Sequence, residues 1–225
     1  MLEAREVCKT FRRGGGRKSF LALDNVSLQI DRGETLGLMG PSGCGKSTLA
    51  RILLRLIPSD GGGVFYKGEN ITLLKGKALL PFRGEVQLIS QRPESFFNPV
   101  IKLKDSVLEP LKIFRLYEKV SAHEMLYRVL EQVKLNDSLL ERYPHQVSGG
   151  EIQRLSICRA LMLQPRVLVL DEATSMLDVS VQAQILHILK DLQKTRQLSY
   201  LFISHDREVV GWMSDRVVEM RQGRI

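Results

Sequence analysis

Residues 40 to 48 read Gly-Pro-Ser-Gly-Cys-Gly-Lys-Ser-Thr and fill every required position of GxxxxGK[ST]. Each residue type there suits a phosphate. Gly40, Gly43 and Gly45 let backbone N–H groups turn inward and approach anionic oxygens closely. Lys46 brings a point charge to the β- and γ-phosphates, and the Ser47 hydroxyl is a hard ligand suited to Mg²⁺. Pro41, Ser42, Cys44 and Thr48 complete the loop. The apolar run Leu36, Leu38, Met39 before it reads as a buried strand, and Thr48 to Ile57 after it reads as a helix whose N–H groups and dipole face the anion. Strand, glycine loop and helix together imply a site for a nucleoside triphosphate.

Four further stretches carry chemistry. Arg166-Val-Leu-Val-Leu-Asp171-Glu172 is an apolar strand delivering two acids at its C-terminal end, where nucleotide-binding sheets place their reactive groups. Asp171 suits a Mg²⁺ shell, and Glu172 suits orienting or deprotonating water. Val147-Ser148-Gly149-Gly150-Glu151 opens an amphipathic run with capping-box spacing between Ser148 and Glu151. That spacing leaves the paired glycines unexplained, and glycines there would expose N–H groups to a phosphate. Gln91 follows the strand Val86–Ser90. His205 follows the apolar strand Tyr200 to Ile203.

The string Val147-Ser148-Gly149-Gly150-Glu151 closely resembles the Leu-Ser-Gly-Gly-Gln signature of ATP-binding-cassette ATPases, with Val for Leu and Glu for Gln. The other motifs fall in that family's order along essentially the whole chain. The resemblance implies ATP and Mg²⁺ as cofactors, with Ser47, Gln91 and Asp171 around the ion and Glu172, Gln91 and His205 as the catalytic set. It implies that Ser148, Gly149, Gly150 and Glu151 serve the ATP of a partner subunit, and that Asp178 belongs to the dimerising D-loop (Ser175-Met-Leu-Asp178). Phe11 stands where an aromatic stacks on adenine, although a strand-end core Phe fits the same pattern.

Gln91-Arg-Pro-Glu-Ser-Phe-Phe-Asn-Pro99, Asp105-Ser-Val-Leu-Glu-Pro-Leu111 and Leu177-Asp-Val-Ser-Val-Gln-Ala-Gln-Ile185 look like the peptide/nickel importer subfamily, except for Arg92 in place of the usual Asp. That likeness implies a second, different ATPase subunit, two integral membrane permeases and, indirectly, an external solute-binding protein. It places the chain peripherally on the cytoplasmic face of the cell membrane. Peptide-importing members often carry a C-terminal extension, and the chain stops after the expected last strand, which tilts the expectation toward nickel or a metal chelate. Phe96 and Phe97 either line a groove for a membrane subunit or fill the core of a helical lobe.

These motifs need an α/β scaffold. The expected fold is a P-loop NTPase (RecA-like) core, residues 1–90 and 164–225, with an antiparallel β subdomain and an inserted α-helical subdomain at about 91–163. Within it, Leu21 to Ile30 alternates as a half-buried antiparallel strand. Pro58 to Gly63 breaks the chain before a strand at Val64–Tyr66. Ser121-x-x-Glu124 opens a helix with a capping box. Ala183 to Lys194 forms another helix, and Arg216 to Met220 with Arg224-Ile225 suggests a closing hairpin.

At 225 residues, 44% of them hydrophobic and 26% charged, the composition is that of an ordinary globular domain. No apolar run reaches the ~20 residues that span a bilayer, and the N-terminus lacks the apolar centre of a signal peptide. The three cysteines, Cys8, Cys44 and Cys158, have no metal spacing and read as reduced thiols. The net charge of +8 is dispersed apart from Arg12-Arg-Gly-Gly-Gly-Arg17-Lys18, expected to be a mobile hairpin loop. No nucleic-acid partner is therefore expected. The alternative class is a soluble cassette ATPase acting on nucleic acid or the ribosome, but such proteins typically carry tandem cassettes or a long coiled-coil insertion. A small-molecule kinase is opposed by Ser148-Gly-Gly and His205, and a non-hydrolysing cassette by intact Lys46, Asp171, Glu172 and His205.

Overall fold

Short, predominantly apolar runs form the buried strands. In the computed structural model, which describes residues 1–12 and 19–225, the strands β3 (Thr35–Met39), β7 (Val167–Asp171) and β8 (Ser199–Ile203) are buried almost throughout. Continuous burial is what a parallel strand covered on both faces requires. Each Leu, Ile or Val side chain so placed contributes about 1.5–3 kcal/mol relative to exposure. The expected loop at Arg12 to Lys18 lies, from Arg13 on, outside the described residues.

The chain divides into two units: Met1–Arg83, Val169–Asp171 and Ser199–Ile225 in the first, Gly84–Leu168 and Glu172–Leu198 in the second. The second takes in the expected lobe of residues 91–163 and extends beyond it on both sides.

In the first unit, β3 pairs in parallel with β8 (Leu36↔Leu201, Leu38↔Ile203) and with β9 (Arg216–Glu219; Leu38↔Val218), and the end of β7 lies on the far side of β8. An antiparallel sheet of order β2-β1-β4-β5 joins them, built from β1 (Leu2–Arg12), β2 (Ser19–Ile30), β4 (Gly61–Tyr66) and β5 (Glu69–Asn70). Helix α1 (Lys46–Leu53) follows the glycine loop, and α7 (Arg207–Met213) packs on β3.

Two expectations are corrected here and a third is narrowed. Helix α1 starts two residues earlier than Thr48 and ends at Leu53, because Arg55 turns left-handed at φ 54°. Gly61 to Gly63 do not break the chain but begin β4. There Gly62, at φ 67°, lies against the carbonyls of Arg5 and Glu6, where β1 bulges and Glu6 itself takes φ 51°. A side chain at 62 would have no room. The closing hairpin is shorter than expected: β9 itself runs parallel to β3, and beyond it Arg221 and Arg224 form an antiparallel bridge, exchanging backbone bonds of 2.9 and 3.0 Å around Gln222 and Gly223 at φ 48° and 78°.

In the second unit, β6 (Val86–Ser90) lies beside β7, and α5 (Gly149–Leu161) packs against β6, α3 (Leu103–Ile113), α4 (Lys119–Gln132) and α6 (Val179–Arg196). A short helix, α2 (Leu80–Glu85), precedes β6 at the chain's crossing between the units. Pro110 sits inside α3 and has no N–H to give to the Ser106 carbonyl one turn earlier. Arg159 of α5 replaces it, donating to that carbonyl and pairing with Glu109 at 2.7 Å. Its guanidinium also lies over the ring of Phe97, 5.9 Å from the centroid.

The Ser121 capping box does not form. Glu118 occupies the cap position of α4, so Ser121 lies inside the helix and donates to Glu118 instead. Helix α6 is longer than expected, because Asp178 caps it at Val179.

Candidate functional site

The glycine loop closes as its residue types demand. Gly45 takes φ 118°, and a Cβ there would lie 2.6 Å from the Ala22 carbonyl, so only glycine fits between β2 and the start of α1. Pro41, Ser42 and Gly43 are exposed at the tip, while Gly40, Gly45 and Thr48 are half-buried. Cys44 is buried. The Lys46 ammonium, also buried, donates to the carbonyls of Gly40 at 2.7 Å and Pro41 at 3.1 Å. The end of the chain backs the loop: Gly223 N–H donates to the Cys44 carbonyl at 2.9 Å, and Asp24 N–H donates to the Gly223 carbonyl at 2.8 Å. Sequence reading passed over this brace, since nothing near Met220 to Arg224 marks it.

At the foot of the loop, the exposed Ser47 hydroxyl donates to Asp171 Oδ1 at 3.1 Å. A hydroxyl and a carboxylate form an all-oxygen donor pair of the kind Mg²⁺ takes. His205 stands exposed between β8 and α7, and Asp206 caps that helix by accepting from the N–H groups of Glu208 and Val209 at 3.0 and 3.1 Å. Phe11 lies at the end of β1, opposite Phe20 of β2, is 41% exposed and carries the Lys9 ammonium 5.6 Å from its ring centroid. The partly exposed ring excludes the reading of Phe11 as a core residue.

The second unit gathers the other residues. Gln91 donates through Nε2 to Ser175 Oγ at 3.1 Å and more weakly to Glu172 Oε2 at 3.4 Å, while Ser175 Oγ donates to the Glu172 carbonyl at 3.0 Å. Glu172 takes φ 50°, a left-handed conformation costing a side-chain-bearing residue about 1–2 kcal/mol. Ser175 was legible only as part of the D-loop string, and its place between Gln91 and Glu172 was not.

Ser148 caps α5, and the capping box forms in full: Ser148 N–H and Oγ both donate to Glu151 Oε2, at 2.7 and 2.8 Å, and Glu151 N–H donates to Ser148 Oγ at 3.3 Å. These bonds, first the one from the Ser148 backbone and then the one from its side chain, hold the Glu151 carboxyl below its ordinary pKa. Gly149 is exposed at the helix start and Gly150 is buried. Asp178 Oδ1 accepts from Val181 N–H at 2.9 Å and Ser180 Oγ at 2.7 Å, and the first of these is the main cause of its lowered pKa. Phe97 is buried and therefore a core residue, whereas Phe96 is 41% exposed. Arg92 is exposed, and its carbonyl accepts from Ser95 Oγ at 2.7 Å.

The model of the ABC transporter family matches residues 23–175. The oligopeptide transport ATP-binding protein OppF of Streptococcus mutans is 41% identical over all of this chain, and the putative oligopeptide transport ATP-binding protein YkfD of Bacillus subtilis is 44% identical over 94% of it. The chain spans 73% and 64% of the lengths of those two relatives. Among solved structures, a dimeric ATP-binding cassette in a post-hydrolysis state with ADP and Pi superposes with a TM-score of 0.88 at 27% identity, covering all of this chain and 96% of that one.

Proposed function

The chain belongs to the ABC transporter family, and we propose that it is the ATP-hydrolysing subunit of a membrane importer whose solute is a peptide. The observation that carries the reading is the Ser47–Asp171 hydrogen bond at 3.1 Å beneath a loop in which Lys46 is already buried among backbone groups. A phosphate loop, its hydroxyl and the acid at the end of β7 lie within one unit, as triphosphate chemistry requires.

In this reading Gly43, Gly45, Lys46, Ser47 and Thr48 take the triphosphate, and Phe11 takes the base. Ser47 and Asp171, with Gln91, would hold Mg²⁺. When bound, that ion neutralises charge on the β- and γ-phosphates. Glu172 polarises the attacking water and His205 contacts the γ-phosphate. Ser148, Gly149, Gly150 and Glu151 serve the ATP of a second ATPase subunit, and Asp178 lies at the junction with it. Half a site per chain predicts poor hydrolysis by the chain alone.

The names of the relatives favour an oligopeptide over nickel or a metal chelate. No helix among the described residues is long and apolar enough to cross a membrane. In this reading two membrane permeases and an external binding protein supply the path and the choice of solute. The chain then works on the cytoplasmic face of the membrane. Purification from its native cells tests this: it should bring down integral membrane subunits, and vesicles bearing that assembly should accumulate labelled oligopeptide only with ATP. Recovery with ribosomes or DNA instead would overturn the reading, and accumulation of nickel instead would overturn the choice of solute.

A further inference from the structure

Gly150 is the second residue of α5 and is buried, yet its φ is an ordinary helical one, so backbone freedom does not explain the glycine. Space does. A Cβ built on Gly150 would lie 2.5 Å from Cγ1 of Val181, with Cβ and Cγ2 of the same residue at 3.8 Å. The Cβ of a residue at 149 would meet Leu177 Cδ2 at an ordinary 3.6 Å. Gly149 thus faces the segment that leads into α6 and Gly150 the first turn of α6 itself, and only Gly150 is pressed.

Val181 is poorly able to yield. Its backbone N–H is held by Asp178 Oδ1 at 2.9 Å, and the next residue, Gln182, donates to Thr174 Oγ1 at 3.1 Å. Branching at Cβ leaves the side chain one strongly preferred rotamer in a helix. A small, stiff hydrocarbon is thus held against the first turn of α5 by one hydrogen bond of its own backbone and one of the next side chain.

We propose that Val181 is a positioning residue for the Ser148-Gly149-Gly150 turn. Its isopropyl group seats Gly150 and thereby sets the direction in which the leading N–H groups of α5 point. Position 150 must then be glycine because of Val181, not because a nucleotide needs the room. This rests on the reading of that turn as the part of the site offered to the partner subunit's ATP. It also makes the D-loop and the signature turn of one chain a single piece, so that a shift of Asp178 is carried to the turn through Val181.

The test is steady-state ATPase of the full chain in its native assembly, comparing Gly150→Ala, Val181→Ala, Val181→Thr and the double variant Gly150→Ala/Val181→Ala. Gly150→Ala should lower kcat about tenfold with KM for ATP within about twofold, since the protein's own phosphate loop is untouched. Val181→Ala should lower kcat about threefold, Val181→Thr should stay near wild type with both γ positions filled, and the double variant should recover to the level of Val181→Ala. A double variant as slow as Gly150→Ala, or a Gly150→Ala chain with full kcat, would overturn the proposal. If Gly150→Ala does not fold, full kcat in Val181→Ala overturns it equally. A wild-type assembly without ATPase, or one unaffected by Glu172→Gln, would instead defeat the functional reading. The thermal midpoints of the same variants would still report on the Gly150–Val181 seat, with the double variant expected above Gly150→Ala and the seat refuted if it is not.

Discussion

Gln91 and Glu172 are joined twice, directly by a 3.4 Å hydrogen bond and through Ser175, which accepts from Gln91 at 3.1 Å and donates to the Glu172 carbonyl at 3.0 Å. The direct bond asks only for an acceptor oxygen at position 172, and the amide of a glutamine supplies one. Glu172→Gln should therefore leave the Gln91 contact and ATP binding intact while lowering kcat by a factor of about 100 or more, as expected when a general base is lost. Equilibrium binding of labelled ATP and a single-turnover assay check the two halves separately. Unimpaired turnover would remove Glu172 from the base role.

Ser47 and Asp171 make a second testable pair. With Asp171→Asn one oxygen and the charge are lost, while with Ser47→Ala the hydroxyl goes and the carboxylate stays. Both should raise the Mg²⁺ concentration for half-maximal ATPase, Asp171→Asn the more, by about tenfold or greater, since hard cations favour charged oxygen. Titration of Mg²⁺ at saturating ATP reads this directly, and thermal stabilisation by MgATP gives a readout free of turnover. An unchanged Mg²⁺ requirement in Asp171→Asn would separate that carboxylate from the ion.

The glycine loop, the strands β3, β7 and β8 and the capping box at Ser148 and Glu151 were legible because each rests on neighbours in sequence. Local spacing was not sufficient elsewhere. Ser121-x-x-Glu124 has the same pattern as Ser148-x-x-Glu151, yet it lies inside α4, because Lys119 and Val120 continue the helix back to Glu118. Gly61 to Gly63 look like a break but serve a bulge in β1, whose carbonyls are 55 or more positions away in the chain. The Gly223 brace on Cys44 and the Val181 contact of Gly150 are of the same kind. A short residue announces that something comes close, but only the fold says what.

Glu151 predicts an acid-sensitive helix start. Its pKa is held below the ordinary value of 4.5 by the Ser148 N–H and hydroxyl. The folded value lies below the unfolded one, so the carboxylate stabilises the fold fully above about pH 4.5, and that contribution is lost as pH falls through the folded value. Glu151→Gln keeps an acceptor but does not titrate. Thermal midpoints of wild type and Glu151→Gln should differ by a constant amount near neutrality and converge, or cross, below pH 4.5. A difference independent of pH down to 3 would sink the idea.

The three thiols should react in a fixed order. Cys158 is fully buried, and burial pushes its pKa up to about 12, so it should resist alkylation in the native protein. Cys44 is 6% exposed within the loop, and Cys8 is half-buried. Peptide mapping after iodoacetamide should find Cys8 modified first, Cys44 slowly and Cys158 only after unfolding. Modification of Cys44 should abolish ATPase activity, and ATP should protect it. Full activity with Cys44 modified would contradict the placement of the phosphate loop.

Arg159 and Pro110 form a pair whose logic a double-variant cycle exposes. Proline at 110 leaves the Ser106 carbonyl without a helical donor, and Arg159 supplies one from α5. Arg159→Ala leaves the carbonyl of buried Ser106 without this donor and should cost about 1–3 kcal/mol, the range for a buried polar group that loses its partner. In a Pro110→Ala background, residue 110 can donate to Ser106 through its own N–H, so removal of Arg159 should cost less, by about 1 kcal/mol. Chemical denaturation of the four proteins measures the difference. Equal costs in the two backgrounds would mean that the guanidinium acts through Glu109 and the Phe97 ring alone, and not as the donor that α3 lacks.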